Sequence, residues 1–98
     1  MREYELVYVL RPDLEDDKVN ALNERVSQWV VNGGGAVAQT ELWGRRRLAY
    51  PIRRYTEGTY VLQRFQLPPQ NVAELERNLK ISEEIMRYLV VRTDEAEN

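Results

Sequence analysis

Ninety-eight residues, 43% apolar and 31% charged, are enough for one domain with a modest core and too few for two. Fourteen basic against sixteen acidic residues give a net charge of −2, which argues against a protein that holds a polyanion by bulk charge alone. With no histidine and no cysteine, imidazole acid–base catalysis, thiol chemistry and Cys/His zinc sites are excluded.

Tyr4 to Leu10 alternates and is rich in β-branched and aromatic residues, which predicts a strand over about 2–10. Arg11-Pro12 breaks it. Asp13 is the expected helix N-cap, and Glu15, Asp16 and Asp17 place negative charge in the first turn, where the helix dipole favours it. That role, rather than acid–base or metal chemistry, accounts for the Asp16-Asp17 pair, and Glu83-Glu84 reads as a solvated face. Val19, Leu22, Val26, Trp29 and Val30 recur at helical spacing, and Asn32 with Gly33-Gly34-Gly35 stops the helix. No Gly-Lys-Ser/Thr follows these glycines, so they form no phosphate loop. Ser27 and Ser82, the two serines, lie in no nucleophile elbow.

A second strand is predicted from about Ala36 towards Ile52, bent or bulged near Gly44. Tyr55-Thr56-Glu57-Gly58 is the expected turn, and Thr59 to Leu67 the third strand. Pro68-Pro69 ends it and opens a helix with an apolar stripe of Val72, Leu75 and Leu79. Ile85 to Arg92 completes the pattern as a fourth strand. Residues 1–93 are expected to form a single domain, with 94–98 an acidic, frayed tail.

The order β-α-β-β-α-β is the split βαβ, or ferredoxin-like, α+β arrangement. It predicts a four-stranded antiparallel sheet of spatial order 4-1-3-2 with two helices on one face. Tyr4, Leu6, Tyr8, Leu10, Val61, Phe65 and Leu67 should face the helices. Val7, Val9, Tyr60, Leu62 and Leu89 should form an apolar patch on the open face, rimmed by arginine, of the kind that marks a contact surface. No apolar run approaches the roughly 20 residues of a membrane span. A cytoplasmic location follows as the expectation.

Residues 44–54, Gly-Arg-Arg-Arg-Leu-Ala-Tyr-Pro-Ile-Arg-Arg, hold five of the fourteen basic residues and no acid. The topology places 44–52 on an edge strand, and Pro51 agrees, since proline is confined to edges, strand starts and bulges. Charges such as Glu41, Arg46 and Arg47 guard such an edge against wrong pairing, and the same charges can help select a right one.

Gly44-Arg45-Arg46-Arg47-Leu48-Ala49-Tyr50-Pro51-Ile52-Arg53 closely resembles the motif of the bacterial small-subunit ribosomal protein six family: glycine, a variable residue, a basic and a polar residue, then Leu-Ala/Ser-Tyr-x-Ile and a polar or basic end. Met1-Arg2-Glu3-Tyr4-Glu5 resembles the family's opening and Arg11-Pro12-Asp13-Leu14 its first turn. The resemblance implies a non-enzymatic structural component of the small ribosomal subunit. Such a component binds the central domain of 16S ribosomal RNA together with the small basic ribosomal protein eighteen, and it needs no cofactor or small-molecule substrate. It also implies partner contacts at Glu41, Arg46, Arg47, Leu48 and Tyr50. Shared binding with a basic protein makes the acidic net charge intelligible.

Strand directions bring Arg2, Arg64 and Arg92 to one end of the sheet, with Arg87 expected nearby, and this cluster is the expected RNA contact. Two other readings are open to the same topology. An RNA-recognition module needs a basic residue, glycine and spaced aromatics on its third strand, which Glu57-Gly58-Thr59-Tyr60-Val61-Leu62 does not supply. A small-molecule sensor of this fold would be a stable homodimer, whereas the ribosomal reading expects a monomer when free.

Overall fold

The computed structural model describes residues 1–93; the expected acidic tail, 94–98, lies outside the described residues. Strand β1 (Arg2–Leu10) leads to helix α1 (Asp16–Asn32), then β2 (Ala36–Ile52), β3 (Tyr55–Leu67), a short 3₁₀ turn (Pro69–Asn71), helix α2 (Val72–Ile81) and β4 (Ile85–Arg92). The antiparallel sheet runs β2-β3-β1-β4, the expected ferredoxin-like order. Both helices pack on one face. Their Val19, Leu22, Val26, Val30, Leu75 and Leu79 join Tyr4, Leu6, Tyr8, Leu10, Val61, Phe65, Leu67 and Ile85 in one buried cluster.

Local chemistry explains most boundaries. At the end of α1, Gly35 N–H donates to the Val30 carbonyl and Gly34 N–H to that of Val31. With Gly34 at φ 89°, this is a Schellman motif, which needs a residue free to adopt the left-handed region. The start of α1 differs from expectation. Glu15, not Asp13, occupies the N-cap position, and no side chain caps the helix there. Asp13 lies too early to reach the first-turn N–H groups; it stands 3.6 Å from Arg11 Nε and takes the Tyr55 hydroxyl at 3.5 Å.

The β2–β3 turn is also displaced. Ile52 pairs directly with Tyr55, so the connection is Arg53-Arg54, and residues 55–58 belong to β3. Gly58 is a packing glycine rather than a turn glycine, because a Cβ there would meet Val9 Cγ1 at 2.3 Å. The bulge predicted near Gly44 is present. Pairing passes from Leu42–Val61 to Gly44–Tyr60, leaving Trp43 as the extra residue and Gly44 at φ 92°.

One buried polar group escaped the alternation argument. Gln63 is completely buried on the helix face. Its Nε2 donates to Tyr8 Oη and to the Asn23 carbonyl, each at 3.2 Å, while the Tyr8 hydroxyl donates to Asn23 Oδ1 at 2.6 Å. Burial pushes the Tyr8 hydroxyl above its ordinary value of 10.0, against a smaller opposite pull from the Gln63 hydrogen bond. A pKa raised on folding means stability that is whole below the unfolded value and lost as pH climbs above it. Urea unfolding should therefore show stability falling once pH passes about 10. Tyr8→Phe should cost about 1–2 kcal/mol at neutral pH yet flatten that alkaline decline. An unchanged decline in the variant would assign it to other groups.

Candidate nucleic-acid and partner interface

The open face of the sheet carries an ordered row of polar contacts. Arg64 Nε donates to Glu5 Oε2 at 2.8 Å and its Nη1 to Gln39 Oε1 at 2.8 Å, with Glu41 Oε2 at 3.9 Å. The hydrogen bond to Glu5 is the chief cause holding the Arg64 guanidinium above its ordinary value. Gln39 Nε2 in turn donates to Glu41, whose other oxygen accepts from Trp43 Nε1 at 3.0 Å. Arg46 then lies 5.4 Å from the centre of the Trp43 ring. The row runs from β1 across β3 to the outer strand β2.

A second contact crosses the sheet at its other end. The Arg87 guanidinium on β4 sits 5.5 Å from the Tyr50 ring centre and donates to the Tyr50 hydroxyl at 3.1 Å. Arg87 pairs with Val9, and the alternation of β1 puts both on the open side. Since β3 and β1 separate β2 from β4, the end of β2 must lean across the open face to make this contact. The lean accounts for the burial of Leu48 and Val9, which stand outside the main core.

The five partner-contact candidates therefore divide. Glu41, Arg46 and Tyr50 share the open face with Trp43. Arg47 pairs with Glu57 and, one residue beyond Arg46, faces the opposite way. Leu48 is only 7% exposed: it is buried under the leaning end of β2, outside the main core, and so is closed off from a partner. Trp43 and Gln39 were not foreseen. The signal was available in Gly44, whose bulge re-aims Trp43, but the partners of that ring depend on the register.

The four RNA-contact candidates do not form one cluster. Arg2 and Arg92 do share an end: Arg92 pairs with Tyr4, and Thr93 N–H donates to the Glu3 carbonyl at 2.9 Å. Alternation puts both on the side of Tyr4, the helix side, whereas Arg64 is on the open side. Arg87 lies five residues from Arg92, roughly 17 Å along the strand, beside Tyr50 instead. The expected grouping failed because it considered strand ends and not faces.

The apolar patch is smaller than expected and shifted towards β4. Val9 and Leu62 are buried and Val7 and Tyr60 half-buried, while on β4 Leu89, 61% exposed, and Val91, 45% exposed, remain open. Val7, Val9, Tyr60, Arg87, Tyr88 and Leu89 line a shallow hollow of about 260 Å³ there. Among the described residues, no group of three or more acidic side chains is arranged to hold a metal ion, and no helix is long and apolar enough to cross a membrane.

Comparison with known proteins agrees with this architecture. Residues 3–92 match the family model described as Ribosomal protein S6. The small ribosomal subunit protein bS6 of Moorella thermoacetica is 46% identical over 95 residues, covering 97% of both chains. That of Natranaerobius thermophilus is 47% identical over 96 residues, covering 98% of this chain and 100% of its own. The crystal structure of 30S ribosomal protein S6 from Thermotoga maritima superposes with a TM-score of 0.91 at 30% identity, covering 98% of this chain and 91% of that one. These relatives are ribosomal proteins and not enzymes. The ferredoxin-like fold, the 44–53 motif on an outer strand and a family match over nearly the whole length lead to one assignment: the chain belongs to the ribosomal protein S6 family.

Proposed function

We propose that this chain is a structural component of the small ribosomal subunit in the cytoplasm, and that it binds the central domain of 16S ribosomal RNA as one half of a pair with ribosomal protein eighteen. The observation that carries the reading is the open-face row ending on the outer strand. Glu41, Trp43, Arg46 and Tyr50 present aromatic, acidic and basic groups together on a strand whose outer side has no neighbour in the sheet. Aromatic and arginine side chains of this kind dominate protein–protein contacts. Residues 1–93 act as a single domain, monomeric when free, because the partner rather than a second copy covers this surface.

RNA contact is assigned to Arg2 and Arg92 at one end of the sheet, with Arg64 and Arg87 on the open face. Arg87 also supports Tyr50, so its reversal should disturb both partners, whereas Arg2→Glu should weaken RNA assembly and spare protein binding. The decisive measurement is binding to central-domain RNA, with and without the partner, across a salt series. The pair should bind tightly with a steep salt dependence and this chain alone weakly. A chain that neither binds the partner nor enters the partner–RNA complex would sink the reading.

A further inference from the structure

We propose that the tip of the β2–β3 hairpin, together with Arg11, is a binding site for an RNA phosphodiester, a second anchoring point at the end of the sheet opposite Arg2 and Arg92. The inference rests on the RNA-binding reading above and deepens it. Arg11, Arg53, Arg54 and Tyr55 line one hollow of about 340 Å³. Arg45 joins them by donating from Nη2 to the Pro12 carbonyl at 2.8 Å, and Arg53 is tied in by donating from Nη1 to the Glu83 carbonyl at 3.0 Å. Each guanidinium has five N–H donors, so both keep most of theirs available.

Two side chains at this site are not fixed by hydrogen bonds of their own. Arg11 Nε is buried without a hydrogen bond, Asp13 Oδ1 standing 3.6 Å away. The Arg54 side chain makes no hydrogen bond or ion pair among the described residues. Asp13, 3.6 Å from Arg11, and Glu57, 3.9 Å from Arg45, offset two of the four charges, and among the described residues Arg53 and Arg54 have no acidic partner. Planar guanidinium forks match phosphate oxygens, and the Tyr55 ring beside them can take a base.

The backbone supplies a separate argument. Arg53 is the one non-glycine residue at positive φ among the described residues, at 59°. A tight hairpin turn that needs this conformation ordinarily uses glycine, asparagine or aspartate. An arginine there carries local strain, and strain of this kind collects where function requires the side chain. In a ribosomal protein the polyanion within reach is RNA.

The test uses the full chain paired with ribosomal protein eighteen on central-domain RNA over a salt series. Arg53→Gly combined with Arg54→Gln removes both side chains while relieving the turn, so the unfolding midpoint should be unchanged or raised. RNA affinity should fall about tenfold, and the salt slope by about two, one for each lost phosphate contact. Partner binding without RNA should be unaltered. Unchanged affinity and slope would overturn this site alone. Loss of partner binding in place of RNA binding would mean that the cluster takes an acidic protein surface, and would overturn it too. If the wild-type pair binds no RNA, the underlying reading fails and this one with it.

Discussion

Phe65→Ala is expected to destabilise the protein by about 3–5 kcal/mol, enough to leave a domain of this size largely unfolded in mild denaturant. Phe65 is 2% exposed and stacks on Tyr4 with ring centres 5.5 Å apart. It pairs with Tyr4 on one side and Val37 on the other, and so bridges three strands. Truncation would leave a cavity at a position that the surrounding strands cannot collapse to fill. Urea unfolding by circular dichroism reads the loss directly; a cost below about 1.5 kcal/mol would mean that Phe65 is not central to the core. Phe65→Leu should recover much of the difference, because most of the lost volume returns.

The second large effect concerns assembly rather than folding. Arg46→Glu and Tyr50→Ala should each weaken binding to ribosomal protein eighteen roughly thirtyfold or more, the scale of an aromatic or arginine hot spot. Arg46 is exposed and Tyr50 is 58% exposed, so neither substitution should move folding stability by more than about 1 kcal/mol. Titration calorimetry of the purified proteins, with thermal unfolding as the control, separates the two effects. Arg47→Glu supplies the contrast, since Arg47 faces away from the open side and its reversal should have little effect on partner binding. Equal loss from Arg47→Glu would show that net charge, and not this face, governs the contact.

The turn at Arg53-Arg54 shows where local signals mislead. Tyr55-Thr56-Glu57-Gly58 has turn composition, yet Gly58 is there because the Val9 side chain would collide with any Cβ. A glycine required by a neighbour 49 positions away in the chain cannot be told from a turn glycine by its own flanks. Asp13 is a similar case: the residue type suits an N-cap, but the helix starts three residues later and Asp13 is drawn to Arg11 and Tyr55. Trp43 lies between the two cases, since Gly44 announced the bulge while only the pairing revealed that its ring joins Glu41 and Arg46.

The order of elements, the inward-facing residues and the family motif were determined by the sequence alone, because each rests on local periodicity or on consecutive residues. Strand alternation placed Tyr4, Leu6, Tyr8, Leu10, Val61, Phe65 and Leu67 inside correctly, and helical spacing did the same for α1 and α2. Which arginines act together was decided only by the tertiary structure. Whether two residues on different strands share a face, and not merely an end, depends on register, bulges and the lean of the β2 end. Those come from the packing of the whole sheet, and they separated Arg64 and Arg87 from Arg2 and Arg92 while bringing Arg11 to Arg53 and Arg54.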